Sequence, residues 1–203
     1  MQLTIIRHGQ TQLDVQKDLD TQDPPLSELG LRQARLAGQR VAQARPDVFY
    51  CGPSSRNLDT AQCIHDACGV RPTLLWPVFE VGANQDLLTW EEINKKYPFV
   101  QDQADCPAWQ SDKAESREEG FDRAYSVLAW LREKHGGEET AVTLVGHGTF
   151  LSMFLARCIN APYAHYTQFS AGNCSFHTMA VHPDRVRILK HNCESHLPED
   201  ART

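Results

Sequence analysis

Leu3-Thr4-Ile5-Ile6-Arg7 is a short, apolar, β-prone run, the pattern of a buried first strand. A polar stretch follows from His8 to Pro25. Ser27 has the chemistry of a helix cap, and Leu29, Ala34, Leu36, Ala37 and Val41 then recur at helical spacing to about Ala44. Val48-Phe49-Tyr50-Cys51 predicts a second strand, closed by Gly52-Pro53. Ser54 or Ser55 can cap a helix that ends near Gly69, and 72–76 predicts a third strand. From Glu80 to about Gly120 the pattern turns irregular and polar, with one short helix expected at 90–96.

Regular patterning returns with a long amphipathic helix at about 117–134, where Phe121, Ala124, Val127, Leu128 and Leu131 share one face. Gly136-Gly137 ends it. Residues 140–145 form the clearest buried strand, and Gly146-His147-Gly148 turns into a helix from about Thr149 to Cys158. Residues 175–181 and 186–189 predict two late strands joined by His182-Pro183-Asp184. The last dozen residues are expected to form a loose tail.

Strands alternating with helices predict an α/β fold: a three-layer α/β/α sandwich, with a mostly parallel sheet and helices on both faces. No repeat and no linker divides the chain. Residues 1–203 are therefore expected to form one domain, with a cap insertion at about 81–120.

Composition narrows the function. The chain has 203 residues, 41% hydrophobic and 23% charged, which excludes disordered and collagenous classes. A chain of this length buries roughly 70% of its unfolded surface. No apolar run reaches the ~20 residues of a membrane span, and the first residues lack a signal-peptide pattern, so a cytoplasmic location is expected. A net charge of −6 argues against nucleic acid and anionic membranes as partners. It also requires that any anionic substrate be attracted locally. The seven cysteines include no CxxC pair, so reduced thiols are expected and a structural zinc site is not.

Ligands of parallel sheets gather beyond the carboxyl ends of the strands. His8 directly follows the first strand and His147 the strong strand at 140–145, and each has glycine beside it. Glycine lets backbone N–H groups come close to a ligand, and a helix start welcomes an anion. Arg7 ends the first strand and Arg56 follows the second. Two imidazoles and two guanidinium groups would thus meet at one crevice. Each histidine taken alone is more simply a hydrogen-bonded structural residue, and Arg56 alone a surface cation; their shared position at strand ends is what groups them. His165, His177, His182, His191 and His196 show no ligand spacing, and no metal or other cofactor is expected.

Arg7-His8-Gly9-Gln10-Thr11 resembles the RHGxT signature of the histidine phosphatase superfamily, the phosphoglycerate mutase-like proteins. Asp23-Pro24-Pro25-Leu26-Ser27-Glu28-Leu29-Gly30 with Gln33-Ala34 is similar to its DxPLTxxGxxQA stretch, Arg56 with Thr60-Ala61 to its RAxQTA segment, and Gly146-His147-Gly148 to its second-histidine motif. Trp90-Glu91-Glu92-Ile93, Tyr97-Pro98 and Glu115-Ser116 resemble the cap and the start of the long helix. Asp14 stands where many members have Asn, and Asn57 stands where they have Ala.

The resemblance implies a metal-independent phosphomonoesterase acting on a small phosphomonoester. His8 would carry the phosphoryl group, Arg7 and Arg56 would grip it, His147 would stabilise its charge, and Glu80 would serve as general acid and base. Gly9, Thr11 and Gly148 would complete the substrate site. Mutase members carry ERHYG where this chain has Phe79-Glu80-Val81-Gly82-Ala83. That departure favours hydrolysis over the alternative of a phosphoglycerate mutase. A catalytically silent phosphate-binding module is the third reading. The oligomeric state is not legible.

Overall fold

The structure is a computed structural model that describes residues 1–18, 20–21, 23–82, 87–102, 106, 115–136 and 139–203. Among these residues the strands are β1 (Gln2–Arg7), β2 (Val48–Cys51), β3 (Thr73–Leu74), β4 (Ala141–Gly146), β5 (Phe176–Val181) and β6 (Val186–Cys193). The helices are α1 (Gln12–Val15), α2 (Glu28–Ala42), α3 (Ser55–Cys68), α4 (Trp90–Lys96), α5 (Arg117–His135) and α6 (Gly148–Cys158). One sheet runs β3-β2-β4-β1-β5-β6. β1 to β4 pair in parallel, and β5 and β6 close the sheet antiparallel.

Strand side chains alternate between two helical layers, as a period of two requires. Leu3, Ile5, Tyr50, Val142 and Leu144 pack with α5 and α6 through Phe121, Leu128, Leu151 and Phe154. Ile6, Phe49, Cys51 and Val145 turn to the opposite face, where Leu58, Ala61 and Ile64 of α3 meet them. The sheet is thus covered on both faces. The helix starts follow local chemistry: Ser27 accepts from the Gly30 amide at 3.0 Å, and reciprocal capping boxes open α4 (Thr89 with Glu92) and α5 (Ser116 with Glu119). Gly69 ends α3 with a φ of 71°, a left-handed turn that favours glycine.

Four expectations change. α1 lies in the stretch read as simply polar; its capping box joins Thr11 and Asp14. The third strand pairs over two residues only, while β6 runs four residues past Leu189, to Cys193. The tail is not loose: Leu197 and Ala201 are buried. Gln33 donates to the Ala201 carbonyl at 2.8 Å, and Thr203 Oγ1 donates to Asn173 Oδ1 at 2.8 Å. Much of the expected insertion, at 83–86, 103–105 and 107–114, lies outside the described residues, as does Gly137. Its described part packs down: Ile93, Tyr97 and Val100 join the α3 face of the core, and Tyr97 donates to Asp59 of α3 at 2.8 Å.

α2 meets the loop after β1 backbone to backbone. A Cβ on Gly30 would stand 1.9 Å from the Gln10 carbonyl oxygen, and one on Gly9 would stand 2.5 Å from that of Gly30. Gly30→Ala is expected to destabilise the fold by about 1–3 kcal/mol, read as a lowered urea midpoint. His177 is buried in β5, where its ring meets Ser175 Oγ and the Asn192 amide. Burial and, secondarily, the charge of His191 lower its pKa to about 4. The unfolded chain takes up that proton near pH 6.5, so stability present above 6.5 is lost as the pH falls toward 4. At pH 5 the loss from this one group is about 2 kcal/mol. The urea midpoint of His177→Gln should therefore fall less between pH 7 and 5 than that of the parent.

Candidate active site

Sheet register brings the candidate residues together. Arg7 pairs with Gly146 across β1 and β4, and Cys51 with Val145 across β2 and β4. The residues that follow, His8, His147 and Gly52, therefore emerge side by side, and the His8 amide donates to the Gly146 carbonyl at 3.0 Å. The rings of His8 and His147 stand edge to face with centroids 5.2 Å apart. Both residues are buried.

His8 Nδ1 lies 2.8 Å from the carbonyl oxygen of Gly9. A carbonyl only accepts, so Nδ1 carries the proton and Nε2 bears the lone pair. Burial, followed by the charges of Arg7 and Arg56, holds the His8 pKa well below 6.5. The ring is therefore neutral near pH 7. The same holds for His147, again through burial first, followed by Arg56, His8, Arg123 and Arg7.

The two guanidinium groups are anchored by different loops. Arg7 Nη1 donates to the Ala171 carbonyl at 2.7 Å. Arg56 Nη1 donates to Asp23 Oδ1 at 3.0 Å, while Asp23 Oδ2 accepts from the Ser55 amide at 2.7 Å. Asp23 thus fixes the first turn of α3 and its arginine together. Burial lowers the Arg56 pKa, opposed by Asp23 and then Glu80. At this site two buried donors have no hydrogen-bond partner among the described residues: Arg7 Nε and His147 Nδ1. Such donors are costly when left unmet, and an anion would satisfy them.

Glu80 is held by the start of α6. Its Oε1 accepts from the amides of Val81 at 2.9 Å and Phe150 at 3.1 Å, and its Oε2 from Thr149 at 3.3 Å. Behind it, Arg123 is almost fully buried. It forms a two-pronged pair with Glu115 at 2.7 and 2.6 Å and donates to the carbonyls of Pro77 and Phe79. This clamp fixes the residue before Glu80.

The remaining candidates divide. Gly148 lies against Arg7: a Cβ there would be 3.3 Å from Arg7 Nε. The Gly9 amide donates to Thr60 Oγ1 at 3.2 Å, and the Thr11 amide and hydroxyl both donate to Asp14 Oδ2. Gly9 and Thr11 therefore shape the loop through bonds within the protein. Sequence reasoning assigned no role in the site to Asp23, Ser54, Asn57, Asn173 or Arg123. Ser54 Oγ is 3.1 Å and Asn57 Nδ2 2.8 Å from His147 Nε2, and Asn173 Nδ2 donates to the His8 carbonyl at 3.2 Å. Asn57 was visible as a departure from Ala in its motif, and Asp23 lay inside one. Asn173 had no signal. Among the described residues, no group of three or more His, Cys, Asp or Glu is placed to hold a metal ion, and no helix is long and apolar enough to cross a membrane.

Known proteins resemble the chain in sequence and in fold. The chain is 25% identical over 209 residues to phosphoserine phosphatase 1 of Hydrogenobacter thermophilus, covering 98% of this chain and 95% of that one. It is 29% identical over 182 residues to a probable phosphoglycerate mutase of Yersinia pestis, covering 86% and 82%. A mycobacterial glucosyl-3-phosphoglycerate phosphatase complexed with VO3 superposes with a TM-score of 0.72 at 25% identity, over 95% of this chain and 99% of that one. A phosphoserine phosphatase of Entamoeba histolytica, in complex with 3-phosphoglyceric acid, shares the fold with a TM-score of 0.70 at 22% identity, over 97% and 99%. The family model of the histidine phosphatase superfamily (branch 1) matches residues 3–194, and the chain belongs to that family.

Proposed function

We propose that the protein is a metal-independent phosphomonoesterase that hydrolyses small phosphomonoesters through a phosphohistidine on His8. The observation that carries this reading is the pair of unmet buried donors, Arg7 Nε and His147 Nδ1, close to an imidazole with a bare Nε2. One phosphoryl group would satisfy both donors and meet the nucleophile.

In the first step His8 Nε2 attacks phosphorus, a nitrogen–phosphorus bond forms, and the ester oxygen–phosphorus bond breaks. Arg7 and Arg56 hold the phosphoryl oxygens by charge-assisted bonds, and His147 donates through Nδ1–H. Because these groups are fixed in advance, little reorganisation accompanies the change in charge. The start of α6 at Gly148 adds a favourable field. The leaving alkoxide takes a proton from Glu80. In the second step water loses a proton to Glu80, its oxygen bonds to phosphorus, and His8 is released with inorganic phosphate. The arginines supply the positive charge that other phosphoryl-transfer enzymes draw from metal ions.

Phosphatase-named relatives and the absence of the ERHYG segment support hydrolysis over mutase transfer. The described α4 region and residues 115–120 belong to a cap on the same domain. Conversion of 3-phosphoglycerate outrunning its hydrolysis, in the presence of a bisphosphorylated primer, would establish the mutase instead.

With EDTA present, p-nitrophenyl phosphate should be hydrolysed, and His8→Ala should lower kcat by roughly 10⁴-fold or more. Turnover that survives the substitution removes His8 as nucleophile. Glu80→Gln should cost an alkyl phosphate roughly 10²–10⁴-fold in kcat, and p-nitrophenyl phosphate far less, since its leaving group needs no proton. Equal losses for both substrates would move the acid role to another residue.

A further inference from the structure

His147 is the one site imidazole whose chemistry depends on a side-chain partner. His8 is set by a carbonyl, which is the same in any sequence. His147 instead presents Nε2 to Asn57 Nδ2 at 2.8 Å and to Ser54 Oγ at 3.1 Å, and leaves Nδ1 unpartnered. An amide nitrogen can only donate. Nε2 must therefore accept, and a neutral ring that accepts at Nε2 carries its proton on Nδ1. Asn57 and His147 are both fully buried, so water does not compete for that bond.

The surroundings leave room for this amide, whose nitrogen meets His147 while its Oδ1 is buried without a hydrogen-bond partner among the described residues. A Cβ on Gly52 would stand 2.4 Å from Asn57 Nδ2 and 1.9 Å from the Val78 carbonyl oxygen. Asn57 also lies one residue after Arg56, on the first turn of α3 that Asp23 pins through the Ser55 amide. The amide is thereby fixed relative to the phosphate-gripping arginine.

Resting on the phosphomonoesterase reading, we infer that Asn57 is a positioning residue that selects the tautomer of His147. It keeps Nδ1–H turned into the site as a neutral donor and opposes protonation at Nε2. The charged and titratable groups acting on the ring are Arg7 from β1, His8 just after it, Arg56 from α3 and Arg123 from α5, while Glu80, from the loop after β3, binds the amides at the start of α6, the helix that His147 precedes. The four basic residues all disfavour a second proton, and Asn57 decides which nitrogen holds the first. A family member with Ala here would have only the serine hydroxyl, which donates or accepts equally well and so enforces neither tautomer.

The direct test is long-range ¹H–¹⁵N correlation on histidine-labelled protein, free and with inorganic phosphate. His147 should show a protonated Nδ1 and a bare, hydrogen-bonded Nε2. A proton on Nε2 in the parent protein overturns the proposal without any variant. In Asn57→Ala the tautomers should mix and His147 should titrate at higher pH. In Asn57→Asp the carboxylate accepts, so the proton should move to Nε2. The kcat for p-nitrophenyl phosphate should fall roughly three- to tenfold in Asn57→Ala, with KM little changed. An unaltered tautomer and titration in Asn57→Ala, or a tautomer that instead follows Ser54→Ala, also overturns it. Because the tautomer is read without turnover, its failure is distinct from failure of the His8 test.

Discussion

Concentrating positive charge in a buried space is the constraint from which the rest of the site follows. Arg7 and Arg56 stand beside two imidazoles that must not both become cations, and little water screens them. The molecule meets this with opposed arrangements. Asp23 and Glu80 offset Arg56, and the two rings are kept neutral. Arg123, a fifth basic group close by, is answered by Glu115 in its own two-pronged pair. An anion arriving in the site therefore replaces an incomplete set of local partners. This is how a chain with a net charge of −6 can recruit a dianion: local fields in a dry pocket exceed the weak global one.

Placement comes from the sheet. A parallel register with Arg7 opposite Gly146 and Cys51 opposite Val145 leaves the following residues with one direction to go. Small residues then let the loops close: Gly9 and Gly30 bring α2 against the His8 loop, and Gly52 makes room for the amide that meets His147. The helix termini finish the work, since α6 supplies the N–H groups that hold Glu80 and α3 carries Arg56 in its first turn.

The main frame was legible because it obeys two periods. β1, β2 and β4 alternate or run apolar, and α2, α3 and α5 repeat their apolar residues at helical spacing, so local pattern and global burial agree. His8, His147 and Arg56 were legible for a related reason: each sits next to such an element. What escaped notice depends on partners distant in sequence. Asp23 acts on Arg56 thirty-three residues later, and Asn57 on His147 ninety later. Glu80 is oriented by amides seventy residues ahead, so its position could be inferred but not its cradle. The tail reads as polar, yet Leu197 and Ala201 are buried and Thr203 reaches Asn173. Isolated apolar residues in a polar run carry no period, and no local rule finds them.

The place of β1 in the sheet bears on how the chain matures. It lies between β4 and β5, so the first of these strands to be synthesised waits for partners some 140 and 175 residues behind it. Closing such long loops is slow, and an unpaired apolar strand is exposed to aggregation while it waits. Asn173, which holds the His8 carbonyl, arrives later still than β4. The fragment that already contains β1, β2 and β3 therefore has every early motif in place and no finished centre. His147 and Asn173 both come from the second half of the polypeptide, so the centre is complete only once that half has docked on the first.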